Sequence, residues 1–435
     1  MKRRQGFTLV EMLVCMALIL FMMAILSQAF VSATSVFRNL KAAGDMAEKL
    51  RATTTLLQRD LAADHFEGKK RLSGNNIWND GPPEQGYFQI YQGSPPPSQT
   101  GSQSVLEGKD LAGIKSYRTF DHALAFTIKL RGNQMSDFLS AGAPAALRNA
   151  SANFGPPEAR YQSTSGGSYN YQWAEVAWFL KPSINPSTGQ QDTTAADPTA
   201  PTATPVPLYT LYRRQRLAVP DNSLVTPALP ATPANLAACL ELSCWTDKDG
   251  NLYFNSPMDL TVPGRRFGGG KPTQFTTIAT ELRALGQSNP TLAGADIQLT
   301  DVVSFDVRVL AQGILILPNQ PPPIDRFVTL YEPPFTRVTG GIIGLLSGYI
   351  YTNSLGLPSA AKAFDTWTSV HDSLNDYSLW YQSGHPTSMP LLASEMLLTP
   401  VILGRGPIIQ ALQISIRIWD AKTNQTRQVT IIQAM

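Results

Sequence analysis

The strongest constraint on the fold of this chain is an apolar segment that starts at residue 7. Phe7 to Ala33 form a run of about 27 residues in which Glu11 is the only charged side chain. A helix needs about 20 such residues to cross a bilayer. Lys2, Arg3 and Arg4 precede the run, and no small-residue cleavage site of a secretory signal follows it. The segment therefore predicts one membrane-spanning helix, with its basic N-terminus in the cytoplasm and the remaining chain across the membrane.

Glu11 is the unusual residue of this segment. An ionised carboxylate at the centre of a membrane helix costs about 2.5–3.5 kcal/mol on insertion scales, and less near a helix end. One interpretation is a capping box, in which Thr8 and Glu11 satisfy free N–H groups at the helix start. The other interpretation is an ion pair with a positive group on a neighbouring subunit. Both stay open, because one carboxylate can serve both roles at different times.

The residues from Gly6 to Glu11, GFTLVE, resemble the cleavage and methylation signature of type IV prepilins and type II secretion pseudopilins. The resemblance implies that a prepilin peptidase cuts between Gly6 and Phe7 and that Phe7 becomes N-methylated. It also implies that Glu11 pairs with the Phe7 amine of a neighbour during filament assembly. Gln28 stands where major pilins usually carry proline, which favours a minor subunit.

Four later segments are similar to the large J-type pseudopilins and W-type minor pilins: VAWFLK, LYTLYRRQRL, TDVVSFDVRVL and the C-terminal LQISIRIWDAKTNQTRQVTIIQ. The resemblance implies a structural subunit of a type II secretion pseudopilus or a type IV pilus, with a place near the tip as one option. The implied partners are other pilin or pseudopilin subunits, the prepilin peptidase, an inner-membrane assembly platform and membrane lipid. The implied location is a single pass of the inner membrane with a periplasmic head, built into an envelope filament. The alternative function is a pilin-anchored binding protein for DNA or an exported substrate.

The helix is expected to continue beyond the membrane as an amphipathic segment. Apolar and small residues recur there at spacings of four and three, which places them on one stripe. The stripe predicts packing on the chain's own sheet, and a coiled coil is the alternative. The stripe comprises Val36, Leu40, Ala43, Ala47, Leu50, Thr54, Leu57 and Leu61, and the polar face comprises Arg38, Lys41, Asp45, Glu48, Lys49, Arg51, Arg59 and Asp60.

The remaining chain predicts a β-rich head. Only 15 % of residues are charged, with 33 prolines and 32 glycines, which suits a loop-rich β protein. Alternating apolar residues predict strands at 87–91, 124–130, 175–181, 208–217 and 303–309, and a C-terminal strand–turn–strand at 412–431. Proline-rich insertions at 93–104, 186–207 and 220–233 are predicted to be disordered.

The predicted fold class is therefore α+β, in which a long N-terminal helix packs on a predominantly antiparallel head. The predicted segments are a leader at 1–6, a transmembrane helix at 7–33, its amphipathic continuation at 34–64 and the periplasmic head at 65–435.

The sequence predicts a protein that is not an enzyme, with no catalytic residues, no cofactor and no metal. Residues 247–251, DKDGN, begin like a calcium loop, but Met258 occupies the twelfth position, where a glutamate would bind the ion. A β-turn is the expected structure. Arg213, Arg214 and Arg216 form a basic cluster that is expected to be a solvated strand face. Because removal of the leader takes the formal net charge from +3 to zero, no nucleic-acid partner is expected.

The chain has three cysteines. Cys15 lies within the apolar segment and is expected to act as a small hydrophobic residue. Cys239 and Cys244 lie close in sequence, and in an oxidising compartment they would be able to form a disulfide. Two buried thiols are the alternative.

Overall fold

A computed structural model of the chain describes the long N-terminal helix and sixteen strands of the head. Gly6 and Phe7 lie outside the described residues. The described ranges are 9–74, 83–93, 105–109, 115–142, 168–194, 205–219, 229–230, 232, 235, 239–247, 249–270, 294–312, 326–330, 350–351, 362–366, 408–421 and 423–435.

Helix α1 runs from Leu9 to Ala62 without interruption. Its 54 residues make it about 81 Å long at 1.5 Å per residue. Residues 9–41 are exposed apart from the half-buried Thr34, and the first buried residue is Ala42. The helix therefore has two parts: residues 9–41 stand clear of the described head, and residues 42–62 pack on it.

The head is built on a nine-stranded sheet in which every strand pair is antiparallel. The predicted strands are all present, and the last two strands of the chain form the predicted C-terminal hairpin around residues 420–425. The strands of this sheet are β1 (Phe88–Gln92), β4 (His122–Lys129), β7 (Trp173–Pro182), β8 (Tyr209–Leu217), β12 (Ile297–Gln312), β13 (Ile350–Tyr351), β14 (Lys362–Asp365), β15 (Ile408–Asp420) and β16 (Gln425–Ala434). Their order across the sheet is β13-β14-β1-β4-β7-β8-β12-β15-β16.

One face of the sheet carries α1. The Arg427 guanidinium of β16 donates to the Ala43 carbonyl at 3.0 Å, and Leu57 and Leu61 are fully packed in the main core. The prediction that the stripe packs on the chain's own sheet is confirmed. The stripe begins later than predicted, because Val36 and Leu40 precede the first contact with the head and are exposed.

The opposite face is covered in its middle by a segment that we call the lid, residues 239–270. The lid contains the strands β10 (Cys244–Thr246) and β11 (Asn251–Phe254), which form a small sheet with β9 (Leu229–Pro230), and three short 3-10 helices at Asp259–Thr261, Pro263–Arg265 and Phe267–Gly270. Its Leu260 and Phe267 join a second core with Ala125 and Phe179 of the sheet. The sheet is therefore buried on both faces in this region, which alternation alone did not predict.

Two further hairpins are described, β2 (Val105–Lys109) with β3 (Lys115–Arg118) and β5 (Leu139–Gly142) with β6 (Ser168–Tyr171). Within the second proline-rich insertion, residues 186–194 and 205–207 are hydrogen-bonded, for example from the Thr194 N–H to the Val206 carbonyl at 2.8 Å. Most of the first and third insertions lie outside the described residues, so their disorder stays a prediction.

Candidate functional site

The first part of α1 is an exposed apolar rod. Leu9 is 81 % exposed and Phe37 is 73 % exposed, and the large apolar side chains between them are similarly open. Soluble proteins rarely leave so much contiguous apolar surface in water, and such surface marks a membrane or protein contact. Of the helices in the described part of the chain, α1 alone is long and apolar enough to cross a membrane. It fits a single-pass membrane anchor.

Glu11 lies in the first turn of α1, two residues after the helix begins. Its carboxylate is therefore at the positive end of the helix dipole, where a negative charge is stabilised by typically 0.3–1 kcal/mol. Glu11 is exposed on the rod. Thr8 lies outside the described residues, so the capping box, the processing of Gly6 and Phe7 and the ion pair with a neighbour stay predictions.

A buried ion pair ties α1 to the sheet. Asp60 was expected on the polar face of the helix, but it is 1 % exposed. Its two oxygens accept from Arg213 Nε at 2.6 Å and from Arg213 Nη2 at 2.8 Å, and Trp178 Nε1 donates to it at 3.0 Å. Trp178 and Arg213 are cross-strand partners on β7 and β8. The Asp60 carboxylate is stable inside the protein because Arg213 neutralises its charge and Trp178 donates a further hydrogen bond to it.

The arginine cluster on β8 is not a solvated face, so that expectation was wrong. Arg213 points toward α1, whereas Arg214 and Arg216 point toward the lid side, and the last two are 1 % and 4 % exposed. Arg214 Nη1 lies 3.3 Å from Asp296 Oδ2, and Arg216 Nε lies 3.7 Å from Glu175 Oε1. The clustering reflects three buried ion pairs. The sequence signal for them was the presence of three arginines in a strand that also carries large apolar residues.

A fourth buried ion pair holds the lid to the sheet. Arg266 Nη1 lies 2.5 Å from Asp365 Oδ2 of β14, and its guanidinium stacks 3.9 Å from the centre of the Tyr87 ring. Gln89 Nε2 donates to the same Asp365 at 3.2 Å. Burial raises the pKa of Tyr87, which stays neutral beside these charges. These contacts join sequence positions that are far apart, so local patterns do not encode them.

Both cysteines of the predicted disulfide lie at the edge of the lid and carry reduced thiols. Cys239 is buried and Cys244 is half-buried. Burial, with a smaller contribution from the neighbouring Cys244, raises the pKa of Cys239 to about 12. Cys244 Sγ lies 2.8 Å from Arg216 Nη2. The disulfide itself stays a prediction.

The calcium-loop candidate is a hairpin turn between β10 and β11. Asp247 Oδ1 accepts from the Asp249 N–H at 3.0 Å and from the Asn251 N–H at 2.7 Å, so the carboxylate closes its own turn. Among the residues that the structure describes, no group of three or more His, Cys, Asp or Glu side chains could hold a metal ion.

Residues 1–27 match the family model described as the prokaryotic N-terminal methylation motif. This match covers the predicted leader, the predicted cleavage junction and Glu11. Comparisons with curated proteins and with solved structures found no match. The methylation motif and the long apolar α1 together fit a type IV pilin-like protein, and they point to a structural subunit rather than an enzyme.

Proposed function

We propose that this protein is a minor pilin or pseudopilin, a structural subunit of a type II secretion pseudopilus or a type IV pilus. The observation that carries the proposal is the exposed apolar rod of α1, which bears the methylation motif at its start and a folded head at its end. A rod of residues 9–41 is about 50 Å long. It exceeds the roughly 30 Å hydrocarbon core of a bilayer, which leaves a part outside for contact with other subunits.

In this proposal the prepilin peptidase cuts after Gly6, and Phe7 becomes the methylated first residue of the mature chain. The head lies in the periplasm, with the leader in the cytoplasm before cleavage. The subunit moves from the inner membrane into the filament, where lipid around the rod is replaced by the helices of neighbours. The inner-membrane platform and the other pilin-like subunits are its assembly partners.

Glu11 has a specific part in this assembly. It lies four residues after Phe7 in the sequence, and its carboxylate caps the start of its own helix. In the filament, a staggered neighbour brings its Phe7 amine to the same carboxylate. The attraction is strong in a low-dielectric surrounding, although desolvation offsets much of the gain. Loss of one partner leaves the other charge buried and unpaired, which typically costs about 3–5 kcal/mol.

The alternative of a pilin-anchored DNA-binding protein receives no support from the β8 arginines. Arg213, Arg214 and Arg216 are committed to Asp60, Asp296 and Glu175 inside the head. A phosphate backbone therefore has no access to this cluster.

The test compares two substitutions at one position. Glu11→Gln keeps a side chain that completes a capping box but removes the charge, whereas Glu11→Ala removes both. We expect both variants to be inserted and processed, and both to be depleted from sheared filaments relative to membranes. Glu48→Gln is the matched control, because Glu48 is an exposed glutamate in the part of the same helix that packs on the head. Incorporation of Glu11→Gln at the wild-type level would reduce Glu11 to a helix cap and contradict the assembly role.

A further inference from the structure

The turn that carries the two thiols is hydrogen-bonded to Leu217 at the end of β8. The Leu217 N–H donates to the Glu241 carbonyl at 2.8 Å, and the Ser243 N–H donates to the Leu217 carbonyl at 2.7 Å. The Arg216 guanidinium, reaching out of β8, donates from Nε to the Leu242 carbonyl at 2.8 Å. The lid begins at this turn, in which the Leu242 N–H donates to the Cys239 carbonyl at 3.0 Å, so Cys239 and Cys244 lie near one another.

The two sulfur atoms of this turn have opposite surroundings. Cys239 is 1 % exposed and belongs to the main hydrophobic core. Cys244 is half-buried, at the first position of β10, and its Sγ lies 2.8 Å from Arg216 Nη2. A guanidinium stabilises a thiolate, and access to solvent lets an oxidant reach it. The Glu175 carboxylate lies 3.7 Å from Arg216 Nε, so the guanidinium is shared between this carboxylate and the Cys244 sulfur, and the sulfur is the closer of the two.

We propose that Cys239 and Cys244 form an asymmetric dithiol, in which Cys244 is the sulfur that reacts with an external disulfide and Cys239 is the sulfur that closes the internal bond. The oxidant is a disulfide-bearing molecule of the compartment that holds the head. The proposal rests on the proposed export of the head only for where that oxidant is met.

The chemistry has two thiol–disulfide exchanges. The Cys244 thiolate attacks one sulfur of the oxidant RSSR, the S–S bond breaks, and RS⁻ leaves and takes up a proton. Cys239 then gives its proton to solvent and attacks Cys244 Sγ, which breaks the mixed disulfide and releases a second RS⁻. Two protein thiols are oxidised to one disulfide, and RSSR is reduced to two RSH.

The order of the two steps follows from the surroundings. Cys239 is shielded from an external oxidant, and burial holds its pKa at about 12, so it is a poor first nucleophile. Once Cys244 carries the mixed disulfide, the attack by Cys239 is intramolecular and needs no access from solvent. The bond then closes the turn from Cys239 to Cys244, which is hydrogen-bonded to Leu217 of β8, so that oxidation rigidifies the start of the lid.

The test uses the full-length chain in detergent with Cys15→Ala as background and glutathione disulfide as the probe. One variant adds Cys239→Ser and leaves Cys244, and the other adds Cys244→Ser and leaves Cys239. Mass spectrometry of peptides follows the glutathione adduct over time. We expect the folded chain with Cys244 to react at least about tenfold faster than the folded chain with Cys239. In denaturing urea, where both thiols are exposed, the two rates should converge.

The chain with both thiols gives the second readout. It should release two glutathione molecules and show a Cys239–Cys244 peptide link, with only a transient adduct on Cys244. An equal or faster reaction at Cys239 in the folded chain would overturn the proposal, as would a lasting adduct on Cys244 with Cys239 present. Arg216→Lys, which keeps the charge, should retain more Cys244 reactivity than Arg216→Gln. Because all these rates are measured without filaments, their failure is separate from a failure of the pilin proposal.

Discussion

The buried ion pair between Asp60 and Arg213 gives the sharpest prediction for how α1 is held on the head. The Asp60 side chain is 1 % exposed and that of Arg213 is 10 % exposed, so solvent screens the pair weakly. Removal of one partner from a buried pair typically costs about 3–5 kcal/mol, because the remaining charge has no compensation. Asp60→Asn keeps an oxygen that can accept from Trp178, so we expect a loss of about 3 kcal/mol. Asp60→Ala also leaves the indole N–H without this acceptor, so its loss should be near the upper end, about 5 kcal/mol.

The assay is urea unfolding of the detergent-solubilised chain, followed by tryptophan fluorescence and analysed by linear extrapolation. Asp45→Asn is the matched control, since Asp45 is an exposed aspartate of the same helix. It should change the free energy of unfolding by less than about 0.5 kcal/mol. The double variant Asp60→Leu with Arg213→Met should be less destabilised than Asp60→Leu alone or Arg213→Met alone, because the double variant leaves no charge unpaired. A loss below about 1 kcal/mol for Asp60→Asn, or simple additivity in the double variant, would refute a coupled pair.

Two further predictions concern the stability of the head. Leu57→Ala should lower the free energy of unfolding by about 2–5 kcal/mol, because Leu57 is 0 % exposed, whereas Leu40→Ala, at a site 64 % exposed, should leave it nearly unchanged in the same urea assay. His122 should make stability fall in mild acid: burial lowers its pKa, and its Nδ1 accepts from the Val307 N–H at 3.0 Å, so the folded chain requires the neutral ring. This contribution is complete above the unfolded pKa of about 6.5 and is lost as the pH falls toward the folded pKa, with a slope of up to about 1.4 kcal/mol per pH unit. His122→Gln should flatten the slope of stability between pH 6.5 and 5, and an unchanged slope would contradict the role of His122.

Local patterns carried much of the fold. The apolar run predicted the exposed half of α1, and the four–three spacing predicted which side of its second half packs, as the burial of Leu50, Leu57 and Leu61 confirms. Alternation predicted β15, which buries most positions of one face, and β16, in which Ile431 is buried and Val429 is partly buried between exposed neighbours. These signals are local, since they depend on neighbours within about one turn or a few residues.

The pairing of strands that are distant in the sequence could not be predicted from such local patterns. β1 pairs with β14 across more than 270 positions, as in Gln89 with Asp365. No local pattern in either strand predicts which strand is its partner. Asp60 and the β8 arginines look like surface charges by periodicity, and their burial becomes apparent only when the opposite charge is brought to them by the fold. The lid was missed for the same reason, because it covers the sheet through contacts between distant positions, such as Arg266 with Asp365 and Phe267 with Phe179.

The mass of the mature N-terminal peptide is the most direct test of whether this protein is processed as a pilin-like subunit. The protein should be extracted from the membranes of cells that contain the prepilin peptidase, digested, and analysed by tandem mass spectrometry. We expect the chain to begin at Phe7 with one methyl group on its amine, and the unprocessed form to accumulate when the peptidase is absent. A mature chain that begins at Met1, or one that begins after Ala33, would contradict the proposal that this protein is processed and assembled as a pilin-like subunit.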